Sequence, residues 1–278
     1  MAGPSGWHRQ RQEIIVGHGS DSPPSLLAHA PCRRNPRVIL SHRHRFVLLQ
    51  PWKSASSTAH LRLAHHDESP YSRFYDYNHH LQRVVHQHIT FAEFAALPES
   101  RQGYFTGAFV RNPYDRVYSG FTQLQRDIQE QPAAAFPNDW IRALVMRQLA
   151  DNHAQLAAGE FDFDKWFALV EEHQIYDVGR NSSFPLHPAH YWTGIDREQK
   201  VDFIGKVECF ERDFDAFCIR VGIEPGERAS TNVSDRLPEP QSPGNSHYAN
   251  RMSAASISKI DRLFDVDFEL FGYPKHSS

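Results

Sequence analysis

Residues 104–110 form a short apolar run that ends on Arg111-Asn112-Pro113, and this junction constrains the chain more than any other stretch. A run of that length bounded by a turn signal reads as a buried strand. Asn112 is a good N-cap, and Pro113 suits the first helical position, where a missing N–H costs nothing. Asp115 can complete a capping box by accepting the Asn112 N–H. The chain here is a strand delivered straight into a helix. The same order recurs on either side. Residues 45–49 are an apolar run followed by a polar turn and a helix-like stretch at 55–66. Residues 201–204 are a third run, followed by Phe210, Phe214, Phe217 and Val221 at helical spacing. Trp140, Leu144, Val145 and Leu149 are predicted to share one helical face, as are Phe163, Trp166, Phe167 and Val170, and Ile257, Ile260 and Phe264 mark a last helix. Strands separated by helices predict an α/β fold, a central parallel sheet flanked by helices. Ligands of such sheets sit beyond the carboxyl ends of the strands.

The 278 residues suffice for one large domain of this kind. Residues 1–40 are rich in Gly, Pro, Ser, His and Arg and predict a poorly ordered leader, which leaves 41–278 as the domain. A second irregular stretch, 224–247, carries Pro225, Pro238, Pro240 and Pro243; loops of that length are uncommon unless functional or mobile. The net charge of −3 gives no global field for nucleic acid, so any anion site must be local. The three cysteines, Cys32, Cys209 and Cys218, form neither a disulfide framework nor a zinc ribbon, which fits a reducing compartment. There is no apolar run of membrane-spanning length and no secretory signal pattern, so a soluble, cytoplasmic protein is expected.

Two strand-to-helix turns could bind an anion. The first reads Gln50-Pro51-Trp52-Lys53-Ser54-Ala55-Ser56-Ser57-Thr58. Free N–H groups and the helix dipole favour phosphate at such a turn, and Lys53 and the hydroxyls add charge and donors. The glycine-rich P-loop pattern is absent, which disfavours an ATP or GTP hydrolase, and serines before a helix are more often plain N-caps. In the second turn, Arg111 stands where the sheet ends, and Ser119 lies two helical turns beyond Asn112 on a similar side. An arginine fork with a hydroxyl can hold a terminal phosphate. A surface arginine before a capped helix is the plainer alternative.

The run from Phe109 through Arg111, Asn112, Pro113, Tyr114, Asp115, Arg116 and Ser119 to Phe121 closely resembles the signature of the carbohydrate-type (family 2) sulfotransferases. Three further stretches resemble that family in order: the Lys53 loop; Val201-Asp202-Phe203-Ile204-Gly205-Lys206-Val207-Glu208 with Asp213-Phe214; and Asp267-Phe268-Glu269-Leu270-Phe271-Gly272-Tyr273. The resemblance spans about residues 45–273. It departs from the family at Trp52, which separates Pro51 from the loop lysine, at Ser56, where Gly or Cys is usual, and at Val117 in place of Leu.

The resemblance implies a P-loop-like sulfotransferase fold and an enzyme that moves a sulfuryl group from 3′-phosphoadenylyl sulfate (PAPS) to a hydroxyl, with 3′-phosphoadenosine 5′-phosphate (PAP) as product and no metal. It implies a carbohydrate acceptor first, and another hydroxyl compound as the variant. Lys53 would meet the phosphosulfate and support the leaving group, with Ser54, Ala55, Ser56, Ser57 and Thr58 around the 5′-phosphate. Arg111 and Ser119 would hold the 3′-phosphate. A soluble member, unlike membrane-anchored Golgi relatives, is expected to be bacterial. A non-catalytic binder of nucleotides or sulfated glycans that keeps the fold is the alternative. The acceptor needs a base, and His88 is the first candidate, since the family often carries a histidine at that distance before the arginine motif; His86 and Glu93 are reserves. His187 is a candidate for acceptor or cofactor contact. Lys206 and Glu208 could touch nucleotide or acceptor, or form a structural salt bridge. Tyr71, Tyr75 and Tyr77, near Arg73 and Arg83, either line a sugar groove or pack on the core.

Overall fold

The computed structural model describes residues 38–70, 75–130, 136, 138–180, 184–226, 228 and 246–276. All of them lie in one unit, residues 34–278. Its centre is a four-stranded sheet in the order β1-β2-β5-β8. These strands are β1 (Ile39–Ser41), β2 (Phe46–Leu49), β5 (Phe105–Val110) and β8 (Phe203–Lys206). β2, β5 and β8 are parallel, and β1 adds an antiparallel edge. The α/β expectation holds, with a mixed rather than purely parallel sheet. Val38, Ile39 and Leu40, assigned to the leader, are fully buried, and Ile39 and Leu40 belong to the sheet. The rest of the expected leader falls outside the described residues, as do 229–245 of the irregular stretch.

Burial on both faces explains why the strands are apolar runs rather than alternating ones. Along β2, Phe46 and Leu48 join one core cluster while Val47 and Leu49 join the other, the period of two that a pleated strand imposes. Glycines let the layers approach. A Cβ on Gly107 would come 2.8 Å from the Phe217 ring, and one on Gly205 would come 2.4 Å from the Phe109 ring. β8 starts two residues later than the sequence suggests. Asp202, just before it, receives the Thr106 N–H at 2.8 Å and returns its own N–H to the Thr106 carbonyl at 2.9 Å.

Each parallel strand delivers a helix: β2 leads to α1 (Ser56–Leu63), β5 to α3 (Pro113–Glu130) and β8 to α8 (Phe210–Val221). Between α1 and β5 stand a hairpin, β3 (Tyr75–Asn78) with β4 (Arg83–His86), and the short α2 (Phe91–Ala95). The hairpin carries no strand signal of its own in the sequence. Next come α4 (Asp139–Ala158), α5 (Phe163–Leu169), α6 (Glu172–Tyr176), α7 (His190–Thr193) and the small pair β6 (Gly194–Ile195) and β7 (Glu198–Gln199). The chain closes with α9 (Ala254–Leu263) and α10 (Asp265–Phe271). On α4 the buried stripe is Ile141, Val145, Leu149 and Leu156. Trp140 and Leu144, predicted on that face, are 51% and 38% exposed instead. The other predicted faces of α5 and α9 are buried or packed against the core.

Candidate functional site

Because β2 and β5 are adjacent and parallel, with Leu49 paired to Ala108, their two following turns emerge side by side. The first turn is tightly curled. Lys53 and Ala55 have positive φ, 61° and 59°, and Ser54 between them does not. Alternating hands of this kind make a concave nest of backbone N–H groups, a shape that accepts an anion. Ala55 is also the N-cap of α1 and offers no side-chain cap. The serines expected as N-caps therefore lie inside the helix or the turn; Ser54, Ser56 and Thr58 are buried and Ser57 is half-buried.

The second turn is braced from behind. The Asn112 N–H donates to Glu208 Oε1 at 2.6 Å, and the Tyr273 hydroxyl donates to Glu208 Oε2 at 2.8 Å. Glu208, not Asp115, thus accepts the N–H at the head of α3. Asp115 is fully buried and instead receives the Ser246 hydroxyl and the His247 and Tyr248 N–H groups. The expected capping box is replaced because its carboxylate is needed to anchor that returning segment. Burial, reinforced by the charge of Glu208, pushes the Tyr273 phenol well above its ordinary pKa. Among the described residues the Arg111 side chain, at this junction, makes no hydrogen bond and no ion pair; Ser119 is buried on α3.

The two turns meet through a lysine. Lys53 Nζ donates to Gln123 Oε1 at 3.1 Å. Gln123 is four residues past Ser119 on α3, so the two lie on one helical face. The lysine of the first turn therefore reaches the helix face that carries the predicted phosphate hydroxyl.

The candidate base lies on the other side of the first turn. The His88 ring is buried, with Nδ1 2.5 Å from the Gln50 carbonyl. A carbonyl can only accept, so in the neutral ring Nδ1 carries the proton and Nε2 holds the lone pair. His86 has the opposite tautomer, because its Nδ1 accepts the His88 N–H at 3.1 Å. Trp52 stacks on both rings, with centroids 4.4 Å from His86 and 4.6 Å from His88. The Trp192 indole N–H fixes the His88 carbonyl at 3.0 Å. Glu93, the other reserve, forms a capping box with Thr90 at the start of α2 and an ion pair with Arg83. Its oxygens are engaged in local structure.

The remaining predicted contacts sit elsewhere. His187 is fully buried, its Nδ1–H given to the Ile175 carbonyl at 2.7 Å and its own carbonyl receiving Arg116 Nη1 at 2.8 Å. That is a core position. Glu208 is a brace, as above. Lys206 ends β8 with its amine 4.4 Å over the Tyr273 ring. Tyr75 is buried against His86 and Tyr77 is half-buried; Tyr71 and Arg73 lie outside the described residues. No group of three His, Cys, Asp or Glu among the described residues is placed to hold a metal, and no described helix is long and apolar enough to cross a membrane.

A sulfotransferase family model matches residues 36–274, which takes in every strand and helix just described. The chain belongs to the sulfotransferase family. No curated protein and no solved structure matches it. This sulfotransferase therefore passes a sulfuryl group from a sulfonate donor to an acceptor hydroxyl. The residues the sequence reading missed are those that hold the sulfotransferase site together. Gln123 anchors Lys53, and Asp267 pairs with the buried Arg116 at 3.4 Å. Asp267 was visible as part of the C-terminal motif, but nothing in its spacing said that it reaches α3.

Proposed function

We propose that this sulfotransferase uses PAPS as donor, transfers its sulfuryl group to a carbohydrate hydroxyl, and employs His88 as general base. One observation carries the reading: Lys53, from the turn after β2, reaches the face of α3 that also bears Ser119. One ligand with anionic groups at two ends would be gripped by both turns.

The residues fit such a donor. The nest at 53–55 and the hydroxyls of Ser56, Ser57 and Thr58 suit a 5′-phosphosulfate. Arg111 and Ser119 suit the 3′-phosphate, which ordinary adenylates lack. Bound PAPS supplies a sulfuryl group on a good leaving group, the 5′-phosphate of PAP. Lys53 meets the charge that grows on the leaving oxygen. The nest fixes the donor for in-line displacement. His88 Nε2 takes the acceptor proton as the new S–O bond forms. The carbohydrate acceptor rests on the resemblance of the Arg111 motif to the carbohydrate-type family. Trp52, the departure that leaves room for a non-catalytic binder, packs on the histidines and leaves the Lys53 amine on α3.

Thermal melting tests the donor assignment. PAP is expected to raise the melting temperature well beyond ADP or AMP, and Arg111→Ala is expected to erase that difference. Equal shifts from all three nucleotides would remove the 3′-phosphate role from Arg111 and Ser119. Transfer of labelled sulfate from PAPS across a panel of glycans and simple alcohols then tests the acceptor class. Sulfation confined to non-sugar alcohols would overturn that part.

A further inference from the structure

Trp52 is the point at which the donor turn departs from the family pattern, and the structure places it against the candidate base. Its indole lies nearly parallel to the His86 ring, at 17°, and tilted by 32° to the His88 ring. The two imidazoles are themselves stacked, 5.0 Å apart and 15° from parallel. The left-handed backbone at Lys53 separates neighbours that serve two sides: Trp52 faces the hairpin end at His86, and Lys53 faces α3. A non-glycine residue at positive φ costs energy, and such strain persists where the surrounding structure enforces it.

We infer that Trp52 is a positioning residue for His88, whose ring orientation it fixes and whose imidazolium it stabilises through its ring face. The inference rests on the proposed role of His88 as base. During transfer the acceptor proton moves to Nε2. The electron pair of the acceptor oxygen forms the new S–O bond, and the old S–O bond breaks with its pair left on the 5′-phosphate. Trp52 exchanges no atom. Its face carries the negative part of the aromatic quadrupole, which attracts a cation within about 6 Å of the centroid. His88 lies inside that range at 4.6 Å. His86 cannot take over without changing tautomer, because its Nδ1 accepts the His88 N–H; it is the third ring of the cluster, 4.4 Å from Trp52 and 5.0 Å from His88. The titratable neighbours of the stack are Tyr75 on β3, edge-on to His86, and Lys53, one residue beyond Trp52 with its amine on Gln123. From α7 comes the uncharged Trp192 indole.

The test combines nuclear magnetic resonance titration of the His88 ring, assigned by its loss in His88→Ala, with the pH profile of kcat. Trp52→Leu is expected to lower the His88 pKa by about half to one unit. It is expected to move the acid limb of kcat the same way, and to lower kcat about tenfold at unchanged donor KM. Trp52→Phe keeps a ring face and should recover most of both; if the leucine variant does not fold, Trp52→Met, which fills the space without a ring face, takes its place with the same expected shifts. Unchanged titration and kcat in a folded Trp52 variant, with His88→Ala inactive, overturn the role of Trp52 alone. Normal turnover by His88→Ala overturns the base assignment and this inference with it.

Discussion

Ala55 carries the clearest strain in the donor turn. At φ 59° its Cβ is crowded against the backbone, and no side-chain cap offsets this. The left-handed conformation costs an L-residue about 1–2 kcal/mol. Glycine removes that cost but frees the unfolded chain, which returns about 0.4–1 kcal/mol. Ala55→Gly is therefore expected to stabilise the fold by about 0.5 kcal/mol, read as a higher midpoint in urea unfolding. A lower midpoint would contradict the left-handed turn, and with it the nest that Lys53 and Ala55 form. The natural alanine is best understood as rigidity kept at some expense of stability, because a pre-shaped anion nest loses less freedom on binding.

At the scale of elements, the turn from β5 into α3 is held by the turn after β8. Glu208 spans the Asn112 N–H and the Tyr273 hydroxyl, so it joins the second and third strands of the parallel set to the C-terminus. Glu208→Ala would leave the Asn112 N–H without its acceptor in a fully buried residue, a loss of about 1–3 kcal/mol. It is expected to weaken PAP binding as well, because Arg111 is the adjacent residue. Calorimetric titration with PAP would show this, and an unchanged affinity in a destabilised variant would separate the brace from the site. The sequence made β2, β5 and β8 legible because strands buried on both faces are continuous apolar runs. The β3–β4 hairpin stayed hidden because its residues, such as Tyr77 and Arg83, are half-buried and polar. Lys53 and Arg111 could be named from motifs. His88 could be named from the sequence as the candidate base, but its tautomer could not be read there, since that depends on the Gln50 carbonyl, 38 residues away in sequence. The roles of Glu208 and His187 stayed open in sequence, because a polar residue near a ligand-binding edge looks the same there whether it faces the ligand or holds the wall.

Across the whole molecule, the ordered motifs are one connected support rather than separate ligand sites. Arg116, from the α3 signature, is completely buried and reaches Asp267 of the C-terminal motif and the His187 carbonyl. Asp267 also receives the Ala189 N–H at 2.7 Å, the His190 N–H at 3.0 Å and His190 Nδ1 at 2.8 Å. Tyr114, two residues before Arg116, packs on Phe268 and bonds to Asp261. The helix that bears Ser119 is thus locked to the last two helices, which explains why a motif far from the donor turns accompanies them. Burial opposes ionisation of Asp267, but the His190 hydrogen bond and the Arg116 charge outweigh it and hold the carboxyl below its ordinary range. A depressed carboxyl stabilises the fold above its unfolded pKa, about 3.9, and that contribution is lost as pH falls through the lower folded value. Asp267→Asn strands a buried guanidinium and is expected to cost about 3–5 kcal/mol at neutral pH. Below about pH 4 the variant should lose stability less steeply than the natural protein, by about one proton's worth of slope. Parallel acid-denaturation slopes in the two proteins would mean that Asp267 is not the ionised partner of Arg116, and that α3 is held by packing and its other hydrogen bonds.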